Sequence, residues 1–217
     1  MNQSTIHFIE YDLQAIALIW MGVIYTYKII QLSRLPMPWE RGTRSGSPGK
    51  GVLRAYGSIF MPWSMESSRK HGWRWLAFGL YHVGALVAIV NTFTLPFTPQ
   101  LMTENVKLLF AILIAPSVLI GLIKLINRIV KPELRHISTF DDYFSLIALE
   151  VWLFFAVMVL LIDTPFWRAW YFIITAFFLF YVPFSKISHY IYFFFAHILT
   201  GWRYGYRGII PQKSPQS

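Results

Sequence analysis

His82 and His189 each lie inside a strongly apolar segment, on what should be two different helices and at a similar depth from one side of a membrane. Two imidazoles so placed have the chemistry to fill both axial positions of a heme iron, one from each face of the ring. Histidine in hydrocarbon is costly unless it is paired or used, so both are candidate ligands; the plainer reading is a hydrogen bond from each to a neighbouring helix. His197, eight residues beyond His189 and so near the same helix face, competes as a ligand from a position closer to water. Of the six histidines, His7 and His136 are expected in water and His71 at the headgroup level.

Holding such a pair requires helices, and the composition supplies them. Of 217 residues 56% are hydrophobic and only 13% charged. Five apolar runs, about residues 11–32, 73–94, 106–127, 141–162 and 167–195, are each long enough to cross the hydrocarbon core. Lipid offers no water to free N–H and C=O groups, so a span must be a helix or part of a closed barrel, and continuous apolar runs exclude the alternating pattern of barrel strands. The expected fold is an all-α membrane protein, one integral domain of five transmembrane helices. No basic residue precedes the first run, Glu10 and Asp12 do, and no small-residue cleavage site follows, so it is expected to stay as a span.

Basic residues set the orientation, because those near span ends are retained in the cytoplasm. None precedes the first run, eight lie between the first and the start of the second, none in 95–105, four in 124–140, only Arg168 in 163–168, and four from Lys186 onward. The alternation predicts the N-terminus outside and the C-terminus cytoplasmic. It also accounts for most of the net charge of +9, so nucleic acid is excluded as a partner, and the basic faces should meet lipid phosphates or an acidic cytoplasmic protein.

The chain has no cysteine, which removes disulfides, thiolate iron–sulfur ligation and covalent c-type heme. The one long connection, residues 33–72, reads as an irregular cytoplasmic loop through Pro36-Met37-Pro38 and residues 44–51, with residues 52–63 apolar enough to lie along the interface. The acids are too scattered for a hydrolytic pair. Glu150 stands out, about seven residues into the fourth run, where an acid is expensive unless protonated, paired or wet; it could accept a proton from a quinol or simply bond a neighbouring helix. Arg74, Lys186, Arg203 and Arg207 could bind heme propionates or serve as positive-inside anchors. Tryptophans near run ends fit interfacial belts.

Three stretches carry a resemblance: Tyr81-His82-Val83-Gly84, the segment from Arg135 to Leu146, and Pro183-Phe184-Ser185-Lys186-Ile187-Ser188-His189. Over roughly residues 70–195 the chain resembles the gamma subunit of respiratory nitrate reductase, and looks closer still to the cytochrome b subunits of Dsr-type and Tmc-type complexes of sulfur metabolism and of membrane heterodisulfide reductase. The resemblance implies two stacked b hemes between the second and fifth spans, with His82 and His189 ligating the iron of the cytoplasmic one. The second heme's ligand positions fall on Thr92 and Tyr171, neither a usual ligand, so the resemblance and this departure together imply a single heme b. Val106-Lys107 matches a Val-Lys pair that helps the family bind quinol, although without an outer heme Lys107 reads more readily as an interfacial anchor than as a quinol ligand.

The function so implied is electron exchange between the membrane quinone or menaquinone pool and a cytoplasmic iron–sulfur subunit, in a prokaryotic inner membrane, with further membrane or extracytoplasmic redox subunits as possible partners. The reading from another class is a heme-free membrane anchor for a catalytic partner. A transporter is a third, against which stands the lack of an inverted repeat.

Overall fold

A computed structural model of the chain describes residues 2–36, 39–61, 63 and 66–209. Met37 and Pro38 of the expected irregular loop, and Pro62 of the expected interfacial stretch, lie outside the described residues. All regular structure among the described residues is helical. The long helices are α1 (Gln3–Ser33), α2 (Pro48–Gly57), α3 (Gly72–Phe97), α4 (Glu104–Val130), α5 (Phe140–Leu161), α6 (Pro165–Tyr181) and α7 (His189–Tyr206). Five helices are long and apolar enough to cross a membrane: α1, α3, α4, α5, and α6 extended by a 3-10 turn to Phe184. The chain thus has the make-up of a multi-pass membrane protein; each of the first four expected spans is one helix, and the fifth is helical only in part.

Two compact units make up the chain, Met1–Tyr25 with Leu76–Ile187 and Thr26–Trp75 with Ser188–Ser217. The first has a small interior of Ala17, Leu95, Ile114, Leu153, Ala156, Val159 and Phe172. Leucine and isoleucine at Leu109, Ile112, Leu119 and Ile123 of α4 face outward instead, the surface expected of helices solvated by lipid tails. Because lipid is as apolar as leucine, polar contacts must help to fix the helices against one another. Arg168 of α6 donates to the buried Glu10 of α1 at 2.7 Å and to Asp163 at 3.2 Å, and Asp163 also pairs with Lys107 of α4 at 3.0 Å. Glu10 sits in a π-helical turn, Phe8–Asp12, whose widened backbone leaves the Ile9 carbonyl to accept from Gln14; the same amide donates to Phe172 O at 2.7 Å.

At the other end of this unit, α5 opens with a capping box of Thr139 and Asp142. Its two acids also hold the chain beyond α6: Asp141 accepts from Tyr181 at 2.6 Å and from the Lys186 backbone at 3.1 Å, and Asp142 accepts from the Lys186 ammonium at 2.6 Å. This is where the fifth span departs from expectation. It ends at Phe184, not near 195. Pro183 has no N–H, Ser185 is extended at φ −94° and ψ 171°, and the Ser185 hydroxyl binds the carbonyl of Val182 and the N–H of Ile187. His189 therefore opens a separate helix, and a depth counted along one continuous fifth span does not apply to it.

In the second unit, the glycine-rich stretch expected to be irregular begins a helix instead. Pro48 occupies the first turn of α2, where its fixed φ suits a helix start, and α2 packs on α7 through glycine. A Cβ on Gly51 would meet Gly205 Cα at 2.6 Å, and one on Gly201 would meet Val52 Cα at 2.6 Å. Gly201 and Gly205 form a small-xxx-small pair that lets the two backbones touch. Leu53, Phe60 and Trp63 are exposed.

Candidate functional site

His82 lies on the exposed face of α3, one turn after Phe78, and its Nδ1 is 2.7 Å from the Phe78 carbonyl. A carbonyl only accepts, so Nδ1 carries the hydrogen; in a neutral ring the lone pair would then be on Nε2. Iron-binding histidines are held in just this way, with the far nitrogen donating to a carbonyl. The Phe78 ring, 4.0 Å away between centroids, fixes the imidazole plane further. His197 repeats the arrangement on α7: Nδ1 lies 2.8 Å from Phe193 O and the Phe193 ring 4.0 Å from the imidazole, with Tyr56 of α2 stacked at 5.5 Å. Both come from a Phe-xxx-His spacing, Phe78 to His82 and Phe193 to His197, which is visible in the sequence. His189 is exposed at the first position of α7, and the extended backbone of Ser185 breaks the helical carbonyl geometry four residues before it. Among the described residues no group of three or more His, Asp or Glu could hold a bare metal ion.

Thr92 is half-buried and Tyr171 is packed into the interior. The Thr92 hydroxyl turns back onto the Ile89 carbonyl. Tyr171 is fully buried; its hydroxyl donates to Ala88 O at 3.0 Å and accepts from Asn91 at 3.3 Å, which ties α6 directly to α3. Trp152 of α5 stacks on Tyr171 and donates to Thr175 at 2.9 Å, so three helices close this layer with their own side chains.

Most of the basic residues weighed as anion partners are already engaged. Lys107 pairs with Asp163 and with Glu104 at 3.3 Å, and Lys186 with Asp142. Arg203 and Arg207 both clamp Glu40, at 2.8 and 3.0 Å, beside a cleft of about 560 Å³ that Trp39, Arg41 and Tyr206 also line. Arg74 is exposed near the start of α3. Sequence reasoning missed Glu10, Asn91 and Glu40, because each acts through a partner far along the chain.

The bonds from Arg207, then those from Arg203, hold the Glu40 carboxyl below its ordinary value of 4.5. A carboxyl depressed in the folded state adds stability above its unfolded pKa, and that contribution fades as pH falls through the lower, folded value. Protection of residues 39–46 against hydrogen exchange, relative to the intrinsic rate at each pH, should therefore be high at neutral pH and fall below the usual carboxylate range. In Glu40→Gln protection should be low throughout; identical profiles for the two chains would show that the clamp does not hold this segment.

Glu150 is 5% exposed on α5. Tyr81 of α3 donates to its Oε1 at 3.1 Å, while Oε2 is buried with no hydrogen-bond partner among the described residues. Lys124 of α4 lies 3.8 Å from the centre of the Tyr81 ring.

No protein-family model matches the chain, and no curated protein is detectably similar to it.

Proposed function

We propose that this chain is the cytochrome b membrane subunit of a respiratory redox complex, exchanging electrons between the quinone pool and a cytoplasmic iron–sulfur partner, with its N-terminus outside a prokaryotic inner membrane. His82 and His189 are the proposed axial ligands of a single heme b, with His197 as the alternative second ligand. The observation that supports the reading is the His82 Nδ1 to Phe78 O bond, the contact that metal-binding histidines make with their far nitrogen. When bound, heme b would supply one-electron exchange at its iron. The chain's own part is to hold the imidazoles in one tautomer and to keep water from them with apolar helix faces. The packing of Tyr171 against Asn91 and Ala88 supports one heme instead of two.

A heme-free anchor is the second reading. It is favoured by the engagement of Lys186, Arg203 and Arg207 inside the chain, which leaves Arg74 as the remaining candidate for a propionate. Heme b content per purified polypeptide separates the two. One equivalent is expected; none would establish the anchor, and two would require a second site despite the filled layer at Tyr171.

A further inference from the structure

Inside the first unit, the Glu150 carboxyl is bonded at one oxygen only. Ionised, it would need donors at both, and an unmet carboxylate oxygen in an apolar bundle is strongly unfavourable. A neutral acid with its hydrogen on Oε2 would still accept from Tyr81 on Oε1 and would leave one uncharged hydroxyl unmet in place of a charged oxygen, the smaller cost. The space is small: a Cβ on Gly121 would meet Oε2 at 2.6 Å and run into the rest of the carboxyl group. Nothing as large as a quinol fits against that oxygen. Lys124, on the exposed side of α4, sets its ammonium 3.8 Å from the centre of the same Tyr81 ring whose hydroxyl bonds Glu150, so Tyr81 lies against both groups.

We propose that Glu150 is a proton-exchange site of the bundle, whose ligand is the proton itself, with Lys124 as the counter-charge that makes release possible. In release, the Oε2–H bond breaks heterolytically, the electron pair stays on the carboxylate, and the proton is taken up by solvent water. The Tyr81 hydroxyl bond and the Lys124 ammonium then stabilise the anion until a proton returns. No electron moves in this step, so the site stands whether or not the chain carries heme.

Infrared spectra of the full-length chain in detergent, recorded in H2O and after transfer to D2O, test this directly. The expected result is a protonated-carboxyl C=O band that is missing from Glu150→Gln and shifts downward in D2O within minutes. Lys124→Met should slow that shift roughly tenfold or more, since the anionic intermediate loses its neighbouring cation. A spectrum unchanged by Glu150→Gln would mean that Glu150 is ionised, and a band that ignores D2O would mean a sealed structural acid; either overturns the proposal. An unaltered rate in Lys124→Met would overturn the role of Lys124, and this comparison holds even if Glu150→Gln fails to fold. Absence of heme would leave every one of these readings intact.

Discussion

Gly201→Leu should pull α2 away from α7. Val52 Cα, Gly51 O and Val52 N stand 2.6, 2.8 and 2.9 Å from where the first side-chain carbon would go. These are backbone atoms with no rotamer to escape into, so the helices themselves must separate. Forced overpacking of a fitted core typically costs about 1–3 kcal/mol, and this seam should lie at or above the top of that range. Hydrogen exchange along Pro48–Gly57 measures the loss. Gly49→Ala is the matched control, because its Cβ would find open space within 4 Å and should bring only the gain in helix propensity, about 1 kcal/mol. Equal destabilisation by the two changes would refute the view that α2 is held by backbone contact.

His82→Ala should abolish any b-type absorbance outright. Under the proposed function an axial imidazole has no substitute at that position, since the neighbouring Tyr81 hydroxyl is committed to Glu150 and the turns before and after offer Phe78 and Leu86. His189→Ala and His197→Ala then divide the remaining question. Loss of the spectrum in His189→Ala alone assigns the pair given by the sequence motif, whereas loss in His197→Ala alone assigns the ring that shares the carbonyl support of His82. Altering the support of a ligating histidine usually costs 10–100-fold in metal affinity, so removal of the ligand itself should be larger. A spectrum that survives in His82→Ala removes His82 from the site.

The five crossing helices were legible because hydropathy alone decides whether about 20 residues can sit in hydrocarbon. The break after Tyr181 was hidden by that same measure. Val182, Pro183 and Phe184 are apolar enough to extend the run, and hydropathy is blind to the N–H that Pro183 lacks. α2 was hidden for the opposite reason: proline, glycine and serine at 45–51 suggest a loop, and the residues that turn them into a helix seam, Gly201 and Gly205, lie 150 positions away from Gly51 for the nearer of the two. At the candidate site, Glu150 announced itself as a lone acid in an apolar run. Tyr81 and Gly121, which give it one bond and a close wall, carry no signal without the fold. The cluster of Glu10, Arg168, Asp163 and Lys107 joins charges from three helices, and only their meeting shows that Lys107 is held within the chain.

The π-helical turn at Phe8–Asp12 bears on how this chain tolerates length changes. Such a turn is equivalent to one residue inserted into an α-helix, so it sets the rotation of everything before it by about 100° relative to the helix that follows. Deleting a single residue there would straighten the backbone and swing Glu10 off the side that meets Arg168, while leaving hydropathy and helix content almost unchanged. The first span is therefore keyed in phase as well as in length, and an indel that a hydropathy profile would pass as silent would disconnect it from α6.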